Sequence, residues 1–156
     1  MTNATWIVTA NAGRARIFAQ EDVSEPLHEV NGLINNAVRL RTTDTESDAL
    51  GQMSASKGRA GNGGAVQPNG YEPHQSPAEH QTELFARSVA DFLLRARYED
   101  CFKRLCIMAA PEFLGVLRKV LDANLQALVV TEINRDYTQL DALALRQKIR
   151  EHRYKH

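Results

Sequence analysis

Hydrophobic positions along this chain change spacing several times, and each change marks an element. In "TWIVTANAGRARIFAQ", Thr5 to Gln20, the apolar run Trp6-Ile7-Val8 is aromatic and β-branched and suits a pleated, partly buried surface. Asn11 and Gly13 supply turn chemistry, and the expectation is a tight hairpin using φ > 0 there. After the turn, Ala15, Ile17 and Ala19 alternate with Arg16, Phe18 and Gln20 at period two. Strands are therefore expected at about Trp6–Ala10 and Ala15–Ala19, with a weaker third in Pro26–Ile34. Arg14 and Arg16 share one face of the second.

From about 42 to 75 the periodicity disappears. "GRAGNGGAVQPNGYEPHQ" is rich in Gly, Asn, Pro and Gln and has almost nothing to bury, so a flexible loop is expected there. Then "SPAE" places Ser76 as N-cap, Pro77 at the first helical position and Glu79 to close a capping box. Phe85, Val89, Phe92, Leu93 and Ala96 follow on one face of a long helix. "RLCIMAA" is continuously apolar, as a strand covered on both faces should be. Pro111 opens a second helix, with Phe113, Leu114, Leu117 and Leu121 as its apolar residues. "ALVVTEI", Ala127–Ile133, reads as another central strand. A last helix starts near Asp141, with Leu140 and Leu145 at the positions of a hydrophobic staple.

The order βββ-αβαβα predicts an α/β fold in a single domain, 1–156, with a mixed five-stranded sheet. Its expected strand order is 3-2-1-4-5, the ribonuclease-H-like arrangement, with helices on the sheet's faces.

Charge adds little to this picture. Nineteen basic residues balance 19 acidic ones, so no global field marks a nucleic-acid or membrane binder. No apolar run approaches a membrane span, and no signal peptide is visible, so the expected location is cytoplasmic and no membrane partner is expected. Cys101 and Cys106 do not make a disulfide scaffold, and Cys106 reads as a buried thiol.

"WIVTANAGRARIF", "SPAEHQTELFARSVADFL", "RLCIMAAPEFLGVLRKVL" and "LVVTEINRDYTQL", in this order, resemble the bacterial host-attachment protein family over nearly the whole chain. The resemblance implies a role in attachment to host cells. It also implies similarity to the middle domain of archaeal and eukaryotic peptide-chain release factors, whose Gly-Gly-Gln loop enters the ribosome. The loop here holds Gly51-Gln52 and Gly63-Gly64, with Gln67 three residues on, but no Gly-Gly-Gln tripeptide. No catalytic residue is therefore carried over. Asn11 stands where many relatives are expected to have an aspartate.

A metal nuclease would need converging carboxylates, and the candidates are Glu112, Glu132 and Asp136. With Asn11 in place of an acid, the expectation is a helix-dipole role for Glu112 and a turn or cap role for Asp136, with no metal and no cofactor. His28, His74, His80, His152 and His156 match no ligand or triad spacing. The glycines match neither a Walker loop nor a dinucleotide fingerprint.

Arginines remain as candidate phosphate contacts: Arg14 and Arg16 on the hairpin, Lys57 and Arg59 in the loop, and Arg146, Arg150 and Arg153 as a stripe on the last helix. Against this stands a solvated-face and helix-dipole role for the same groups. The function expected is a non-enzymatic binding module contacting a ribosome or structured RNA. A hydrolase of nucleic acid or peptidyl-tRNA esters, an adhesion-related interaction protein, and a homo-oligomer stay open as alternatives.

Overall fold

The computed structural model describes residues 2–37 and 76–155; the loop residues Gly51, Gln52, Lys57, Arg59, Gly63, Gly64 and Gln67 lie outside these. The strands are β1 (Thr5–Ala10), β2 (Arg14–Gln20), β3 (His28–Ile34), β4 (Arg104–Ala109) and β5 (Val129–Ile133). The helices are α1 (Pro77–Tyr98), α2 (Pro111–Val120), α3 (Ala123–Leu128) and α4 (Ala142–Lys155). One mixed sheet runs in the order β3-β2-β1-β4-β5, as the element order predicts. β2 is antiparallel to β1 and β3, whereas β1, β4 and β5 are parallel.

Alternation along the strands divides the core. Trp6, Val8, Ala10, Ala15 and Ile17 pack with Phe85, Val89 and Leu93 of α1 and Phe113, Leu114 and Leu117 of α2. Ile7, Phe18, Cys106, Met108 and Ile133 form a second cluster with Leu145 and Ile149 of α4. The sheet thus lies between α1–α3 and α4, and β1 and β4 are buried on both faces, which explains their unbroken apolar runs. Trp6 fills a gap on the α1 side, its ring 5.0 Å from that of Phe102 and 6.1 Å from that of Phe92. Burial in the second cluster pushes the Cys106 thiol up to about 12, so it stays a protonated apolar filler.

The helix punctuation is as the sequence implies. The Glu79 backbone N–H donates to Ser76 Oγ at 3.1 Å, and the Ser76 N–H donates to Glu79 Oε1 at 2.9 Å, closing the capping box. Asp141 caps α4, its Oδ1 accepting from the Ala144 N–H at 2.8 Å. Leu140 and Leu145 both join the α4-side cluster, as a staple requires.

Three expectations need correction. "ALVVTEI" is not a central strand: Ala127 and Leu128 close α3, capped by Asp122, and β5 is the sheet edge, where Val130 is 57% exposed. β3 starts at His28 rather than Pro26. The β1–β2 turn does not use φ > 0; among the described residues only Asp100 has a positive φ. The pairing ends at Ala10↔Ala15, which leaves a four-residue loop, and loops of that length are commonly built on ordinary turn geometry.

Both sheet edges are interrupted. The register slips between Ile17 and Phe18 against β3, leaving Val30 as the extra residue. It slips again between Leu105 and Cys106 against β5, leaving Val130 as the extra residue. A bulge twists an edge strand away from regular pairing and so protects it from adding a further strand.

Asp100 carries a testable cost. Its φ of 59° closes α1 in a Schellman turn, with the Cys101 N–H on Ala96 O at 3.0 Å and the Asp100 N–H on Arg97 O at 2.9 Å. Glycine adopts this conformation without a Cβ clash. Asp100→Gly is expected to stabilise the protein by about 0.5–1 kcal/mol, read as a raised midpoint in urea at unchanged slope.

Candidate functional site

The residues singled out in the first hairpin converge with the segment that follows β5. Asn11 directly follows the central strand β1 and uses its whole side chain. Its Oδ1 accepts from the backbone N–H of Gly13 at 2.8 Å and of Arg14 at 2.9 Å, which shapes the turn. Its Nδ2 donates to Asp136 Oδ2 at 2.9 Å and to Thr138 Oγ1 at 3.2 Å. An ionised carboxylate could not do both, since one end must accept and the other donate. Asn35 braces the same turn, donating its side-chain N–H to Ala12 O and its backbone N–H to Gly13 O, both at 2.9 Å.

Asp136 is held from its own side as well. Its Oδ1 accepts from the Thr138 hydroxyl at 2.6 Å and the Thr138 backbone N–H at 3.0 Å. Burial pushes the Asp136 carboxyl up. The Thr138 hydroxyl, the Asn11 amide, the Thr138 N–H and the charge of Arg14 outweigh it and hold the carboxyl below the usual range. Asp136 therefore stays ionised and turns the chain, as its position after the last strand implied.

The two hairpin arginines have different roles. Arg16 Nη1 donates to the carbonyls of Thr138 at 2.9 Å and Leu140 at 2.7 Å. Its Nε and Nη2 grip Glu29 at 3.1 and 2.9 Å, and its guanidinium lies 5.0 Å from the Phe18 ring centre. Four of its five N–H groups are thus engaged. The hydrogen bond to Glu29 raises the already high Arg16 pKa, and the same bond lowers that of Glu29. Arg16 is a strap that fastens the chain after β5 to the sheet. Arg14, by contrast, makes no side-chain hydrogen bond or ion pair among the described residues; its charge is felt by Glu29 and Asp136 only through space.

The stripe on α4 is divided in the same way. Arg146 Nη2 donates to Ser24 O at 2.7 Å and Val23 O at 3.3 Å, tying down the β2–β3 loop. Arg150 and Arg153 are exposed and make no hydrogen bond or ion pair among the described residues. Arg14 sits at the Asn11–Asp136 corner and Arg146 at the β2–β3 loop, so the structure places the candidate arginines at separate points.

The acids do not converge. Glu132 faces α2, where Arg118 Nε donates to it at 2.9 Å, and Glu112 is exposed in the first turn of α2. Among the described residues, no three His, Cys, Asp or Glu side chains are placed to hold a metal ion. Sequence reading missed the partners that make the corner, Thr138 and Glu29. The Asp136-x-Thr138 spacing, which favours a local side-chain-to-backbone turn, was the available signal for the first. No local signal points from Arg16 to Glu29.

Comparison with known proteins places residues 6–149 in a match to the family described as "Protein required for attachment to host cells". An uncharacterized protein of Rickettsia prowazekii (strain Madrid E) is 31% identical over 81 residues, covering 51% of this chain and 54% of that protein. The chain thus spans about half the length of that relative. Among the described residues, no helix is long and apolar enough to cross a membrane.

Proposed function

This chain belongs to the family of proteins required for attachment to host cells, and from that premise we propose that it acts as a non-enzymatic binding module that contacts RNA. One observation carries the reading. The corner at the ends of β1 and β5, where a ribonuclease-H-like enzyme would gather carboxylates, is closed by the Asn11 amide on Asp136 and Thr138, and it leaves Arg14 as the uncommitted charge beside it. The hydrolase alternative has less to draw on, because Glu132 is spent on Arg118 and Asp136 on its turn. The release-factor resemblance belongs to the same proposal: it makes structured RNA of the translation apparatus the partner, in the cytoplasm, with any effect on attachment indirect.

A zero net charge requires that attraction to a polyanion be local. Structured RNA is expected to bind at low salt, with affinity falling steeply as salt rises. Arg14→Ala is expected to keep the natural melting temperature and to flatten the log–log salt slope by about one. The measurement is a salt series with transfer RNA for both proteins. Absence of binding at low salt sinks the RNA reading, and equal slopes remove Arg14 from it.

A further inference from the structure

A second local excess of positive charge, with an exposed ring beside it, lies away from the hairpin, where α1 runs into β4. Residues 95–104 read "RARYEDCFKR". Four cations, Arg95, Arg97, Lys103 and Arg104, face two acids, Glu99 and Asp100, a surplus of two charges in ten residues of a chain whose net charge is zero. Tyr98 stands among them at 71% exposure. Among the described residues it makes no hydrogen bond and no ring contact.

These groups belong to one short stretch of chain. Arg95 and Tyr98 are three apart on α1 and share its outer face. The Schellman turn at Asp100 and Cys101 folds the chain back, and the backbone N–H groups of Lys103 and Arg104 then both reach Ala4 O, at 2.9 and 3.4 Å. Tyr98 and Lys103 are five residues apart, so their Cα atoms lie within about 17 Å. Arg104 is anchored, its Nη2 on Asn3 O at 2.9 Å, whereas Arg95 and Lys103 are exposed and make no side-chain hydrogen bond or ion pair among the described residues. Half-buried Arg97 keeps an Nε without a partner.

The helix dipole accounts for cations in the last turn of α1. It does not account for Lys103, which lies beyond the helix, or for a tyrosine ring left in water. A free ring flanked by cations matches one ligand chemistry well: bases that stack, joined by phosphates. We infer that Tyr98, with Arg95 and Lys103, forms a contact for single-stranded RNA, Tyr98 stacking on a base and the two cations meeting the adjoining phosphates. The inference rests on the RNA reading above and adds a second surface, one that recognises unpaired nucleotides.

The probe is a fluorescein-labelled 12-nucleotide oligouridylate, followed by anisotropy at low salt. Tyr98→Ala is expected to weaken binding about tenfold or more, within the range seen when a stacking aromatic is removed, while Tyr98→Phe binds as the natural chain does. Arg95→Ala and Lys103→Ala should each flatten the salt slope by about one. Tyr98→Trp supplies a direct reporter, since Trp6 is buried and a stacked base should quench the new indole. Because Tyr98 is exposed, melting temperatures should stay unchanged. If Tyr98→Ala binds the oligomer as tightly as the natural chain, the inference is overturned. If transfer RNA binds through Arg14 but the oligomer does not bind, the inference falls and the RNA reading stands. If the natural chain binds neither RNA, both fall together.

Discussion

Arg16→Ala is expected to lower the stability of the protein by about 3 kcal/mol, although arginine on a hairpin usually signals a solvated face. The substitution removes four hydrogen bonds at once and leaves two half-enclosed carbonyls, on Thr138 and Leu140, without their donor. Hydrogen bonds to charged groups contribute roughly 1.5–3 kcal/mol each, and orphaned acceptors add a desolvation cost. Exposure tempers the sum: the Arg16 side chain is 15% exposed but that of Glu29 is 41%, so the ion pair itself contributes little. Contact with the Phe18 ring is lost as well. For a chain of this length, about 3 kcal/mol corresponds to a fall of roughly 6–12 °C in melting temperature. Arg16→Lys is expected to recover only a minor part, because an ammonium cannot grip a carboxylate and two carbonyls in fixed directions together. A melting temperature for Arg16→Ala within 2 °C or so of the natural value would show that the strap carries no weight.

Asn11→Asp is expected to cost about 2 kcal/mol at pH 7 and to make stability depend on pH in a new way. The new carboxylate can still accept from Gly13 and Arg14, so the turn survives. It cannot donate to Asp136, and it sets a second negative charge where the amide stood 2.9 Å from that carboxylate. Two acids so close titrate as a pair, and one of them is forced to a raised value in the folded state. A carboxyl raised on folding destabilises above its folded pKa, and the penalty fades as the pH drops through it. The natural corner has the opposite sign. Asp136 is lowered, so its contribution is present above the ordinary aspartate value of about 3.9 and is lost only as the pH falls through the lowered one. Between pH 7 and 5 the variant should therefore gain stability relative to the natural chain. Urea unfolding of both proteins at pH 7, 6 and 5 measures this, and a constant gap across the three would mean that the two carboxylates do not interact. Asn11→Ala separates the effects, since it loses both hydrogen-bonding ends but adds no charge.

Sequence alone determined whatever depends on near neighbours. Spacing of two and of three to four marked strands and helices, Ser76-Pro77 with Glu79 marked the start of α1, and the continuous run at β4 marked a strand covered on both faces. These signals are local because backbone periodicity and helix capping are satisfied within a few residues. From the element order, short connections then led to the sheet order. Tertiary structure decided the fate of each polar side chain. Arg14 and Arg16 are two residues apart and look alike in sequence, yet one is uncommitted and the other is spent on carbonyls 122 and 124 residues away. Asn11 reads as a turn residue, and so it is, but its amide also closes a corner with Asp136, 125 residues on. The bulges at Val30 and Val130 were likewise not legible, because a register slip depends on the partner strand. For the polar side chains the physical reason is the same in each case. A charged or amide group can pair with many partners, and which one it meets is set only when distant strand ends are brought together by the burial of the apolar residues between them.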